Sequence, residues 1–238
     1  LYYQPQVDSS GQWLGAEVLL RWEHPQQGIL SPVAFIALAE ETGLILPIGE
    51  WVLQTACKQL VTWSKREETA NLSLSVNVSA RQLHQHDFID QVFSILKETG
   101  ANAQYLKLEL TESILVENVE EIIVKMNTLK NMGVSFSMDD FGTGYSSLSY
   151  LKRLPLSQLK IDRSFVRDVL DDSNDASIVQ TIIALGQGLG LEVLAEGVEN
   201  REQQLFLKEH GCLAYQGYLF GKPQPVERFE QEMKSQRI

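Results

Sequence analysis

Between residues 72 and 112 the chain twice alternates apolar and polar positions. In LSLSVNVS (72–79), Val76 and Val78 fall on one face, and Ser75, Asn77 and Ser79 fall on the other. In YLKLELTE (105–112), Leu106, Leu108 and Leu110 oppose Lys107, Glu109 and Thr111. A period of two predicts strands. Eight β-rich runs of this kind occupy 1–7, 16–22, 72–79, 105–112, 134–140, 158–164, 192–198 and 214–220. The first two are separated by DSSGQ, which suits a hairpin. Apolar residues at helical spacing fill 31–43, 48–63, 87–100, 177–190 and 202–211. The first of these opens on Ser31 as an N-cap with Pro32 behind it and closes at Gly43.

From the third strand on, strands and helices alternate, which predicts parallel strands joined by helical crossovers. Eight strands in 238 residues suit a closed barrel, with an open doubly wound sheet as the alternative. The expected fold is α/β: a modified (β/α)8, TIM-like barrel, its first strand made antiparallel by the hairpin. No linker-like stretch divides residues 1–238, so a single domain is expected.

Polar residues recur on the strand faces that should line such a barrel, and active sites of barrels sit at the C-terminal strand ends. Gln158, Lys160 and Asp162 oppose Leu159 and Ile161; Glu17 lies in AEVLLRW with Arg21 two alternations on; Glu196 follows Leu194 and Ala195; Gln216 sits in AYQGY. Singly, each has a bland explanation: a cap, a turn, a satisfied core amide or a surface pair. Together, Glu17, Asn77, Glu109, Asp139, Asp140 and Glu196 place five acids and one amide at one mouth. Without counter-charge some of the acids must stay protonated. Divalent cations resolve the conflict, and all-oxygen ligands suit Mg²⁺ or Mn²⁺ better than zinc. Two such ions side by side can activate a water for displacement at phosphorus.

Composition narrows the picture. Apolar residues make up 44%, enough for a sizeable core, and no run is long enough to span a membrane. A net charge of −11 with no basic stripe excludes a general duplex nucleic-acid binder. Cys57 and Cys212 form no metal spacing and read as buried thiols. Trp51 and Trp63, twelve apart on one helical pattern, read as core. The chain starts at Leu1 in mid-pattern, which suggests a piece of a longer protein.

The motifs QPQV (4–7), AEVLLRW (16–22), VNVSARQ (76–82), ELTES (109–113), MDDFGTGYSSL (138–148), LKIDRSFV (159–166), AEGVE (195–199) and QGYLFGKP (216–223) resemble, in this order, those of the EAL-domain family of cyclic-di-GMP phosphodiesterases. The resemblance implies a modified barrel with an antiparallel first strand. It implies that Glu17, Asn77, Glu109 and Asp139 hold one metal, and that Asp139 reaches a second one held with Asp140 and Glu196. It implies that Lys160 positions the attacking water, with Glu17 and Glu196 also among the catalytic positions. Arg21, Gln4, Asp162 and Gln216 match substrate-side positions, Gln216 ordering water near the metals. Glu199 matches a supporting glutamate, and Glu112 the anchor of a loop that includes Gly142, Thr143 and Gly144. The signature reads EVL, with Val18 in place of alanine; by alternation Val18 points away from the ligands. The implied reaction is hydrolysis of cyclic di-GMP to linear pGpG with two Mg²⁺ or Mn²⁺ ions. The alternative is a domain that binds cyclic di-GMP without cleaving it. A homodimer, a covalently linked sensor or cyclase-like domain and a cytoplasmic location are the remaining expectations.

Overall fold

A computed structural model describes residues 1–115, 118–144 and 148–235. Among the described residues ten strands form: β1 (Tyr2–Asp8), β2 (Trp13–Leu19), β3 (Trp22–His24), β4 (Gly28–Leu30), β5 (Ser73–Asn77), β6 (Leu106–Thr111), β7 (Ser135–Phe141), β8 (Gln158–Ile161), β9 (Glu192–Ala195) and β10 (Ala214–Gln216). Eight close a barrel in the order β1-β10-β9-β8-β7-β6-β5-β2, while β3 and β4 make a separate ribbon. β1 is antiparallel to both neighbours, and every other barrel pair is parallel. The expected TIM-like barrel with an antiparallel first strand is present. Its opening turn is held by Asp8, whose Oδ1 accepts from the Ser10 and Gln12 amides at 2.8 and 2.9 Å.

The strands are wrapped by α1 (Ile36–Thr42), α2 (Ile45–Trp63), α3 (Ala80–Leu83), α4 (Phe88–Thr99), α5 (Val119–Asn131), α6 (Leu148–Leu151), α7 (Arg163–Arg167), α8 (Ser173–Leu189), α9 (Arg201–Glu209) and α10 (Val226–Ser235). Several differ from the sequence reading. The helix expected over 31–43 is split: Pro32–Ala34 is a 3₁₀ turn, Phe35 leaves helical geometry, and α1 starts at Ile36. Gly43 ends it in the left-handed region, as expected. α2 begins three residues early because Pro47 lies in its first turn, where no amide hydrogen is required. α8 also begins early, at Ser173, capped by Asp172, which accepts from the Asn174 amide at 2.7 Å. The strands expected to run to 164, 198 and 220 stop at Ile161, Ala195 and Gln216.

The core lies between barrel and helices. Leu74, Val76, Leu106, Leu108, Leu110, Phe136, Met138, Leu159 and Ile161 point outward into it, and Val18 joins them. Cys57 and Cys212 are buried free thiols. Trp63 is buried, but Trp51 is half exposed and walls an apolar surface pocket. α10 covers the outer face of β1: Phe229 stacks on Trp63 (5.5 Å between centroids) and meets Trp13 (4.6 Å) and Tyr3 (6.0 Å). Glu230 secures it by accepting from Trp63 Nε1 (3.0 Å) and Arg66 Nη1 (2.5 Å).

Inside, the barrel is polar. Gln6 Nε2 donates to Gln216 Oε1 (2.9 Å), Ser137 Oγ to Gln158 Oε1 (3.1 Å) and Gln158 Nε2 to Glu192 Oε2 (2.7 Å). Among the described residues no helix is long and apolar enough to cross a membrane. Because Phe229 fills a closed aromatic niche, Phe229→Ala is expected to cost about 3–5 kcal/mol, read as a lowered urea midpoint at unchanged slope.

Candidate active site

Alternation along β2, β5, β6, β7 and β8 turns Glu17, Asn77, Glu109, Asp139 and Lys160 inward, and the loop after β9 adds Glu196. Lys160 is fully buried at their centre. Its Nζ lies 2.5 Å from Glu196 Oε1, 2.8 Å from Glu109 Oε2, 3.0 Å from Asp139 Oδ1 and 3.5 Å from Glu17 Oε2. Glu17 is further fixed by Asn77 Nδ2, which donates to Oε1 (2.6 Å), and by Gln216 Nε2, which donates to Oε2 (2.5 Å). Gln216 also donates to Gln4 Oε1 (3.1 Å), and Gln4 Nε2 reaches the Gly221 carbonyl (3.2 Å).

One ammonium cannot balance these carboxylates, and their proton affinities record it. Burial alone would lower the Lys160 pKa; Asp139, Glu109, Glu17 and Glu196 outweigh it and hold the group well above its ordinary value. Burial, with Glu17 and Asp139, pushes Glu109 up to about 8 against the pull of Lys160. Burial and the same two neighbours raise Glu196 well above the carboxylate range. In Glu17 the burial penalty is overcome by Lys160, Gln216 and Asn77, so its pKa is lowered.

The carboxylate oxygens form two sets. Glu17, Glu109 and Asp139 present oxygens within 4.8 Å of one another, and so do Asp139, Asp140 and Glu196. Asp139 belongs to both. Glu109 Oε1 is buried and has no hydrogen-bond partner, an arrangement that costs energy unless a ligand arrives. This shared, all-oxygen geometry fits two hard divalent cations.

Asp140 reaches the mouth by an irregularity. Between Met138 and Phe141, β7 advances three residues while β8 advances two, from Leu159 to Ile161. Asp140 is the extra residue and sits at φ 51°. Its carboxyl is raised to about 6 by burial, Asp139 and Asp162. Asp162 has left the strand to cap α7: its Oδ1 accepts from the Ser164 amide (2.9 Å). Beyond Phe141 the Gly142 amide donates to Glu112 Oε1 (2.7 Å), and Thr143 Oγ1 donates to the Asp140 carbonyl (2.8 Å). Gly142 has φ 101°, a conformation that favours glycine, while a Cβ on Gly144 would stand 2.6 Å from Glu112 Oε2 and push that carboxylate aside. Tyr145, Ser146 and Ser147 of the loop motif lie outside the described residues.

Arg21 and Glu199 stand apart. Alternation placed Arg21 on the Glu17 face, but β2 ends at Leu19. Its guanidinium donates to the Leu20 carbonyl (2.7 Å) and lies 5.6 Å from the Tyr2 ring centroid. Glu199 is exposed, and its amide donates to Gln203 Oε1 (2.8 Å). A groove of about 590 Å³ opens beside Asn77, Thr111 and Asp140, with Leu20, Pro32, Val33, Ile36, Ile45 and Ile48 as its apolar wall. That wall was not foreseen. Its signal was the exposed apolar Val33 beside Pro32, where a core-facing helix would be polar.

With this geometry in place, comparison with known proteins is specific. The EAL domain model matches residues 1–223. The chain is 48% identical over 229 residues, 96% of its length, to the bifunctional diguanylate cyclase/cyclic di-GMP phosphodiesterase MucR of Pseudomonas aeruginosa. It is 40% identical over 234 residues to the cyclic di-GMP phosphodiesterase PdeR of Escherichia coli. It spans 33% and 35% of those proteins' lengths. Among solved structures, the MucR phosphodiesterase in complex with c-di-GMP matches at a TM-score of 0.93 and 47% identity, covering 96% of this chain and 93% of that one. The EAL enzyme Bd1971, in its cAMP- and cyclic-di-GMP-bound form, matches at 0.93 and 38% identity, covering 98% of this chain and 64% of that one. The family model and these relatives show that the chain belongs to the EAL domain family.

Proposed function

We propose that this domain hydrolyses one phosphodiester bond of cyclic di-GMP, giving linear pGpG, with two bound Mg²⁺ or Mn²⁺ ions. The observation that carries the reading is the placement of Asp139 in two oxygen-ligand sets around a single buried lysine. Relatives named as cyclic di-GMP phosphodiesterases support the substrate. Glu17, Asn77, Glu109 and Asp139 would hold one ion, and Asp139, Asp140 and Glu196 the other. Bound there, the ions supply a water of lowered pKa and neutralise charge developing on the phosphate.

The protein's own groups do the rest. Lys160 offers an ammonium that directs a water and supplies positive charge near the phosphate. Gln216 and Asn77 hold the Glu17 carboxylate in one orientation. The groove takes the nucleotide, its apolar wall against the bases and its polar edge at the phosphate. Arg21, two residues past the end of β2, meets a phosphate by turning from the Leu20 carbonyl. Glu112 keeps the Gly142–Gly144 turn over the site. Asp162 orients Asp140, and Gln4 orients Gln216. Glu199, exposed, acts only through the loop it belongs to. The relatives' greater length supports a covalently linked sensor or cyclase-like domain. Family resemblance supports a cytoplasmic homodimer.

Metal-loaded protein incubated with cyclic di-GMP is expected to yield pGpG on chromatography, and a chelator or Glu17→Ala to abolish it. Lys160→Met is expected to lower kcat by about 10²- to 10⁴-fold with little change in nucleotide affinity. Intact nucleotide bound by the wild type would refute hydrolysis and favour a receptor.

Proton–metal competition gives a second test. A carboxyl whose folded pKa is raised adds stability in full below its ordinary value of 4.5, and that stability is lost as pH rises through about 8. The metal-free protein should therefore lose thermal stability between pH 5 and 8. Glu109→Gln, which cannot ionise, should lose less, and added Mn²⁺ should flatten the wild-type curve. Parallel curves for the two proteins would contradict this.

A further inference from the structure

Beneath the carboxylate cage the barrel holds a second inward-facing lysine that the reaction does not use. Lys107 lies two residues before Glu109 on β6, on the same face, so the two Cα atoms are about 7 Å apart. Its side chain is 13% exposed, and its Nζ lies 3.9 Å from Glu192 Oε2. That carboxylate is pinned from the other side by Gln158 Nε2 (2.7 Å), and Gln158 in turn accepts from Ser137 Oγ (3.1 Å). The register makes this a belt. Asn77, Glu109, Ser137, Gln158 and Glu192 are successive partners across β5, β6, β7, β8 and β9. Lys107 bridges the end of the belt back to the strand that carries Glu109. It interacts electrostatically with Glu109 and Lys160 as well as with Glu192.

The two charges of this pair do not weigh equally on the site above. Glu192 is 49% exposed, so water screens it. Lys107 is enclosed among barrel side chains, where a charge acts through a lower effective dielectric. Of this pair, the less screened charge on the side of Glu109 is therefore the positive one. A cation below the cage relieves the repulsion among carboxylates while the site is metal-free, and it opposes the arrival of a divalent ion.

We propose that Lys107 is a positioning and tuning residue that sets how tightly the site above it holds its divalent cations. It steadies the empty cage and weakens metal binding, so that occupancy follows metal concentration. The inference rests on the two-cation reading given above.

The test is direct Mn²⁺ binding to the full chain, freed of metal, with free Mn²⁺ followed by electron paramagnetic resonance. Lys107→Met and Lys107→Gln remove the charge with similar length, and the exposed face of Glu192 lets it return to water. Both are expected to bind Mn²⁺ about 3- to 10-fold more tightly than wild type. Glu192→Gln, which leaves Lys107 unopposed, is expected to bind more weakly, by a smaller factor. A purely structural strut would weaken binding in all three variants, and that result would overturn the proposal, as would unchanged affinity in both Lys107 variants. Disagreement between Met and Gln would assign the effect to packing and overturn it too. Failure of the wild type to bind Mn²⁺ would sink the two-cation reading itself, and this inference with it.

Discussion

One ammonium group holds the barrel mouth together. Lys160 Nζ touches carboxylates carried by β2, β6 and β7 and by the loop after β9, and so spans the opening from several sides at once. Taking a single lysine out of water costs several kcal/mol, repaid only if its partners are close and well placed. Here they are close but too many. One positive charge attracts four acids, which then repel one another, and burial together with this repulsion raises the proton affinity of Glu109 and Glu196. The site is a compromise between ion pairing with Lys160 and repulsion among the acids. Divalent cations would add charge that the oxygens can share and so relieve that repulsion.

That compromise is affordable because fold stability is generated elsewhere. The outward faces of β5, β6, β7 and β8 are wholly apolar and buried under the helices. The inward faces contribute hydrogen bonds and charge, and the glutamines Gln6, Gln158 and Gln216 satisfy one another or nearby carboxylates instead of packing as branched apolar layers. Burying polar groups adds only about 1 kcal/mol per hydrogen bond even when every partner is present. The barrel interior therefore acts as scaffold for charge placement, and the shell outside it supplies most of the hydrophobic stabilisation. α10 extends that shell over β1, the one antiparallel barrel strand.

Alternation made the site legible where strands are regular. Glu17, Asn77, Glu109 and Lys160 could be placed on one surface because each shares a face with other polar residues and opposes leucine, isoleucine or valine. The same rule failed once the backbone left the strand. Arg21 lies two residues past the end of β2, and Asp162 had already turned to cap α7. The break at Phe35 escaped because Ser31, Pro32 and Gly43 are equally good signals for one helix or for a 3₁₀ turn followed by another. The β3–β4 ribbon escaped because its residues carry no alternation. α5 lay beyond reach for another reason: Lys125, on its buried side, donates to the Leu83 and Gln85 carbonyls, so a charge stands where the helical pattern would ask for an apolar residue.

The paired aspartates show why local irregularity and chemistry coincide. Adjacent residues in a strand point to opposite faces, so Asp139 and Asp140 could not both face the mouth of a regular barrel. Asp140 would instead enter the apolar layer beside Met138. The bulge removes that conflict: one extra residue lets Phe141 take the outward position opposite Ile161 and frees Asp140 to turn toward the groove. The required φ of 51° is one that aspartate adopts more readily than most residues. The sequence reading put both aspartates at the mouth, and the bulge is what allows it. A single inserted residue converts one acid-bearing position at the mouth into two adjacent ones, and two adjacent carboxylates with one shared member would suit a pair of neighbouring cations.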